Sequence, residues 1–145
     1  MAFFTKCINT IARCTIQYRS EKLEGSQING YQCVYILNVC QHPGISQDAL
    51  ADLIYINKSN VTRQLTLLED SGFVTRKTSN EDRRVIEVYP TQKARDVLPQ
   101  VRSVIREWND YLTADFSEDE KKVFEGLLQR MTDKAKKYFE KPTKE

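Results

Sequence analysis

The feature that most constrains this chain is a change of period at Gly72. Before it, Val61, Leu65 and Leu68 recur four and three apart, the inward stripe of an amphipathic helix. After it, the segments 73–78 (Phe-Val-Thr-Arg-Lys-Thr) and 84–89 (Arg-Val-Ile-Glu-Val-Tyr) are rich in β-branched and aromatic residues. They flank the polar turn 79–83, so the pair reads as a β-hairpin. Asn57 is placed to cap the helix, and Gly72 to close it in the left-handed conformation. Whatever the fold, a helix over 57–71 must run directly into a two-stranded element over 73–89.

The remaining elements are helical. Phe4, Cys7, Ile8, Ile11, Thr15 and Tyr18 predict a helix over 3–22. Asn29 and Gln32 form a capping-box variant ahead of a second helix, which His42-Pro43-Gly44 ends near Gln41. Ser46 caps a short helix reaching Ile54. Thr91 caps a long one through Trp108 and Leu112, in which Pro99 predicts a local kink or a break nearby. Ser117 and Glu120 make a full capping box for the final helix, which runs through Tyr138 and stops before Pro142. The expected fold is mainly α with a small β-hairpin.

Several function classes are disfavoured. The chain has one histidine, no glycine-rich phosphate loop and no nucleophile motif, so neither an enzyme nor a cofactor site is expected. His42 reads as a helix end beside Pro43, and no paired metal-ligand spacing exists. No apolar run approaches the roughly 18–20 residues of a membrane span, and the segment from Met1 to Cys7 lacks a secretory pattern; a cytoplasmic protein is expected. Cys7 and Cys14 lie two helical turns apart, as do Cys33 and Cys40. They read as small buried hydrophobes, with redox sensing as the alternative.

A net charge of +2 says little about nucleic acid unless the basic groups are concentrated locally. The short helix 47–54, the connector 55–57 and the helix 58–71 have the proportions of a helix-turn-helix. In that motif the second helix lies in the major groove with its N-terminal residues on the base edges. Opposite the buried stripe lie Ser59, Arg63, Thr66 and Asp70, flanked by Asn60 and Thr62. Arg63 can fork to guanine, Asn60 or Gln64 can pair with adenine, and Lys58, Ser59 and Thr62 suit phosphates. For this helix alone, a solvated face is the competing reading.

The hairpin shifts the balance, because Arg76, Lys77, Arg83 and Arg84 gather on it. Asp82, two residues before Arg84, can hold that guanidinium in a fixed direction, which suits a narrow minor groove. A plain surface ion pair, worth about 0–1 kcal/mol, is the alternative. A winged-helix module that contacts protein also stays open, given the near-neutral charge and Asp70, Glu81 and Asp82 beside the basic groups.

With these residues in view, 44–91 resembles the MarR (multiple antibiotic resistance regulator) family. The resemblance rests on Lys58-Ser59-Asn60-Val61-Thr62-Arg63, on Leu68-Glu69-Asp70-Ser71-Gly72-Phe73-Val74, and on the wing signature Asp82-Arg83-Arg84. After five further residues Pro90-Thr91 follows, where the family carries Leu-Thr. The resemblance implies one domain over 1–145, with a winged helix-turn-helix lobe at about 29–90 and dimerisation helices at about 3–22 and 91–140. It implies a homodimer on a pseudo-palindromic site in double-stranded DNA, with Asp82 orienting Arg84 in the minor groove. The flanking helices also carry more apolar surface than a small lobe can cover, which independently points to a partner chain. A small aromatic effector is a further implication, with Tyr18, Tyr31, Tyr35, Trp108 and Tyr111 as candidate pocket residues and ordinary core packing as the alternative.

Overall fold

The caps predicted from sequence meet their backbone partners. In a computed structural model describing residues 3–140, Asn57 Oδ1 accepts the Asn60 N–H at 2.8 Å and Ser46 Oγ accepts that of Ala49 at 3.1 Å. Ser117 Oγ accepts the Glu120 N–H at 3.1 Å, and Glu120 returns the bond to the Ser117 N–H at 3.0 Å. These fix the starts of α3 (Gln47–Ile54), α4 (Lys58–Asp70) and α6 (Glu118–Tyr138). Ahead of them lie α1 (Phe4–Lys22) and α2 (Cys33–Gln41), and α5 spans Gln92–Leu112. The Asn29–Gln32 capping box also forms, with Gln32 Oε1 on the Asn29 N–H at 3.0 Å, but residues 30–32 are a turn and the regular helix begins at Cys33. Pro142, the expected stop for α6, lies outside the described residues.

Of the kink or break expected at Pro99, the break does not occur: the long helix runs from Gln92 to Leu112. A proline removes one helical N–H donor, and the inward Ala94, Val101 and Val104 are buried on either side of it. The sheet has three strands, not two: β1 (Ile45–Ser46) joins β2 (Val74–Thr78) and β3 (Ile86–Pro90) in the order β1-β3-β2, all antiparallel. Ile45 pairs with Val88, while across the hairpin Arg76 faces Val88 and Lys77 faces Glu87. Arg84 and Val85 lie in the loop instead of opening β3, because the loop closes on itself. The Ser79 N–H donates to Val85 O at 2.8 Å and the Val85 N–H to Asp82 O at 3.0 Å.

The chain forms two compact units, one ending at Trp108 and one beginning at Asn109 within the last turn of α5. In the first, Tyr35, Ile36 and Val39 of α2, Leu50 of α3 and the α4 stripe Val61, Leu65 and Leu68 share one core with Phe73, Val74 and Val88 of the sheet. The stripe seats α4 with its polar face outward, and Gly72 (φ +83°) then turns the chain into β2. Trp108 stacks on Tyr18 at 4.5 Å and donates its indole N–H to Thr15 at 2.8 Å, joining α5 to α1. Yet α1 buries none of its residues, and Phe4, Ile8 and Ile11 stand exposed. In the second unit α6 likewise buries none, leaving Val123, Phe124, Leu127 and Met131 exposed. No helix among the described residues is long and apolar enough to cross a membrane.

Candidate nucleic-acid interface

The outward face of α4 is polar and partly pre-bonded. Lys58, Ser59, Thr62, Arg63 and Thr66 are exposed and Asn60 is half-buried. Arg63 Nη2 donates to Asn60 Oδ1 at 2.6 Å, so these two candidate base readers hold one another. Ser59 donates to the capping Asn57 side chain at 2.9 Å. Thr62 and Thr66 each give their hydroxyl proton to the carbonyl four residues back, at 3.0 and 2.9 Å. Lys58 lies 3.4 Å from Asp48, but both ends are well exposed, and such a pair is worth only about 0–1 kcal/mol. The Lys58 ammonium therefore stays available.

At the wing tip, Arg84 is held on three sides by one carboxylate. Its backbone N–H and its Nε donate to Asp82 Oδ1 at 3.0 and 3.2 Å, and Nη2 donates to Oδ2 at 3.1 Å. The Arg84 side chain is nonetheless 91% exposed. Asp82 is itself anchored by Ser79, whose hydroxyl accepts the N–H groups of Glu81 (3.2 Å) and Asp82 (3.5 Å). The Arg84 hydrogen bonds hold the Asp82 carboxyl below the usual aspartate range, so it stays ionised wherever the protein is folded near neutrality. Arg83 is exposed beside it, and Lys77 sits over the Tyr89 ring at 4.8 Å.

Arg76 is bonded within the lobe. Its side chain is only 17% exposed and donates to Gln47 Oε1, Thr66 Oγ1 and Glu69 Oε1, each at 3.1 Å. It is committed inside the lobe, to groups on α3 and α4. Sequence reasoning missed both Glu69 and Gln47, because a carboxylate on a helix flank and a glutamine after a cap carry no periodic signal. An available clue was Glu69 seven residues before Arg76 across a glycine turn.

The candidate pocket residues of the first unit fall into two groups. Tyr31 and Tyr35 line a hollow of about 440 Å³ with Ile56, Asn60, Arg63 and Gln64. Tyr18 and Trp108 stack on each other elsewhere, and Tyr111 is exposed in the second unit. The Tyr35 hydroxyl is buried without a hydrogen-bond partner, and burial pushes its pKa up against the opposing charge of Arg63. The cysteines divide too. Cys33 is buried and Cys40 half-buried, and burial pushes both thiols up, as expected of small hydrophobes. Cys7 and Cys14 are exposed, contrary to that reading, because nothing in the described chain covers their face of α1.

Comparison with known proteins agrees with this geometry. The family model described as MarR family matches residues 29–86, which hold α2 to the start of β3. The uncharacterized HTH-type transcriptional regulator YybA of Bacillus subtilis is 24% identical over 124 residues, covering 86% of this chain and 83% of that protein. The crystal structure of MarR superposes with a TM-score of 0.82 at 28% identity, covering 94% of this chain and 93% of that one. A MarR family regulator from Listeria monocytogenes, crystallised with 26mer DNA, gives a TM-score of 0.86 at 20% identity over 99% of this chain and all of its own.

Proposed function

We propose that this chain is a regulator of the MarR kind, which residues 29–86 and the fold resemble, and that it regulates transcription by binding double-stranded DNA as a homodimer, with α4 in the major groove and Arg84 of the wing in the minor groove. The observation that carries the reading is Arg84, almost wholly exposed yet held on three sides by Asp82. An ion pair made only for folding has no reason to spread a guanidinium in solvent, where it returns little. Aimed outward, the same group suits the negative potential of a narrow minor groove. Arg63, with Asn60 and the cationic Lys58 at the positive end of α4, supplies base and phosphate contacts in the adjacent major groove. The Listeria protein of like fold was crystallised with a 26mer DNA, which supports the same class of partner.

Homodimerisation is supported by α1 and α6, whose apolar faces lack cover in a single chain. In this reading 29–90 is the DNA-binding lobe and 3–22 and 91–140 supply the dimer, giving two recognition helices about one helical turn apart on a pseudo-palindrome. The hollow beneath Tyr31 and Tyr35 is where a small aromatic effector would act, since filling it would engage Asn60 and Arg63. Cys7 and Cys14, exposed in the single chain on the helix that would form the dimer, leave thiol oxidation that alters dimerisation as a second route of control.

The test is to select duplexes from random DNA with the purified protein and titrate the winner in rising salt. Two chains should bind per duplex. Arg84→Ala should weaken selected and random DNA alike and lower the salt slope by about one. Arg63→Ala should cost about 1–3 kcal/mol at particular bases. Wild-type affinity in both variants would refute the proposal.

A further inference from the structure

Where α4 meets the base of the wing, one carboxylate binds both the main chain and the side chain of a single residue. β2 is an edge strand, bonded only to β3. Edge strands carry N–H groups with no ladder partner, and that of Arg76 donates to Glu69 Oε2 at 2.9 Å. Glu69 Oε1 takes the guanidinium at 3.1 Å, and the same guanidinium reaches Gln47 of α3 and Thr66 of α4. Gln47 continues the network through its Nε2 to Thr62 Oγ1 at 3.4 Å. One side chain thus ties β2 to α3 and to α4. Between α4 and β2 the chain has only residues 71–73, and it turns there on Gly72 at φ +83°. The Gly72 and Phe73 N–H groups bond back to Glu69 O and Leu68 O at 3.0 and 2.8 Å, which fixes the link beside α4, and the Glu69–Arg76 contacts add a second attachment further along β2.

From this geometry we infer that Glu69 and Arg76 are positioning residues for DNA binding: they set the angle between α4 and the wing, so that Arg63 and Arg84 reach adjacent grooves of one duplex together. The inference rests on the DNA reading above. With the clamp intact, the wing arrives pre-ordered and Arg84 adds its contacts at little entropic cost. Without it the wing must be ordered on the DNA, and that ordering offsets what Arg84 contributes. Thr66, hydrogen-bonded to the guanidinium, carries the constraint to the outward face of α4.

The experiment is a double-mutant cycle between Glu69→Gln and Arg84→Ala, read by fluorescence anisotropy on a duplex enriched from random DNA by the wild-type protein, at one fixed salt. In the wild-type background Arg84→Ala should weaken binding on the order of tenfold. In the Glu69→Gln background it should cost no more than about threefold, the coupling expected of residues in one network. Arg76→Lys, which keeps the charge but loses the fork, should reduce the Arg84 effect in the same way and serves if Glu69→Gln folds poorly. A residue serving stability alone would lower the unfolding midpoint and leave the Arg84 factor unchanged in both backgrounds, which would overturn the inference. Should Arg84→Ala have no effect even in the wild type, the minor-groove reading itself falls, and the positioning role with it.

Discussion

The wing carries two acid–arginine pairs of the same chemistry, one at its base and one at its tip, and they do opposite things. At the base, the Arg76 side chain is 17% and that of Glu69 37% exposed, and the guanidinium bonds to Gln47, Thr66 and Glu69. At the tip, Asp82 is 41% and Arg84 91% exposed, and the guanidinium bonds to Asp82 alone within the described lobe. Burial separates them. A charged hydrogen bond shielded from water stabilises a fold, whereas the same bond in solvent mainly fixes a direction. The base pair holds the wing on, and the tip pair aims it.

Arg76→Ala should break this comparison most visibly. It leaves Gln47, Thr66 and one Glu69 oxygen without their donor, and should cost about 2 kcal/mol of stability by urea unfolding, discounted because Glu69 is partly solvated. Arg84→Ala should leave the unfolding midpoint where it is. Equal losses in the two variants would mean that the tip is as structural as the base.

Asn57→Ala tests the frame against which both pairs are measured. Its side chain accepts the Asn60 N–H and the Ser59 hydroxyl, so the change should cost about 1 kcal/mol and fray the first turn of α4, where Lys58, Ser59 and Asn60 sit. DNA affinity should fall with it, while the Asp82–Arg84 tip keeps its order in amide exchange. A wing that loosens together with the α4 start would place the reference frame elsewhere.

What the sequence revealed follows from the range of each interaction. Asn57, Gly72 and the Ser117–Glu120 box act within a turn, so their roles follow from neighbours a few residues away. The Asp82–Arg84 pair spans two residues and was equally legible. The partners of Arg76 were not legible, because an arginine on a strand looks the same whether or not it bonds to Glu69, and only the packing of α4 on β2 brings the two together. β1 escaped notice because a two-residue strand has no period, and its existence depends on Val88, forty-three residues after Ile45. Cys7 and Cys14 fit an apolar helix pattern, but pattern tells which face is apolar and not what covers it.

Acid sharpens the comparison with a smaller effect. Glu69 and Asp82 both have carboxyls held below their usual ranges, first by the side-chain hydrogen bond from arginine in each case. Groups with depressed folded pKa values contribute stability that is present above the ordinary carboxylate range and lost as pH falls through the lowered values. Unfolding free energy should therefore be insensitive to Glu69 and Asp82 near neutrality and fall on their account only in acid. Glu69→Gln should flatten that acid limb more than Asp82→Asn, because water screens the tip pair. The reverse ranking, measured by urea titrations at descending pH, would contradict the division between base and tip.

The smallest effect is the most discriminating, because two causes predict opposite signs for Asp82→Asn. Removing a negative charge beside a DNA-facing loop should by Coulomb's law tighten binding, an effect that salt erodes as the Debye length shrinks to about 10 Å at 0.1 M. Replacing the Oδ2 acceptor that holds Nη2 by an amide donor should instead loosen the Arg84 guanidinium to sample other rotamers, weakening binding by up to a few-fold, less than Arg84→Ala. Asparagine keeps one oxygen for the Arg84 N–H, so the loop itself should persist and the unfolding midpoint should not move. If orientation is what Asp82 supplies, the variant binds more weakly at every salt concentration. A variant that binds more tightly at low salt and equally at high salt would make Asp82 only a charge, and the aimed guanidinium would no longer be the reason for the pair.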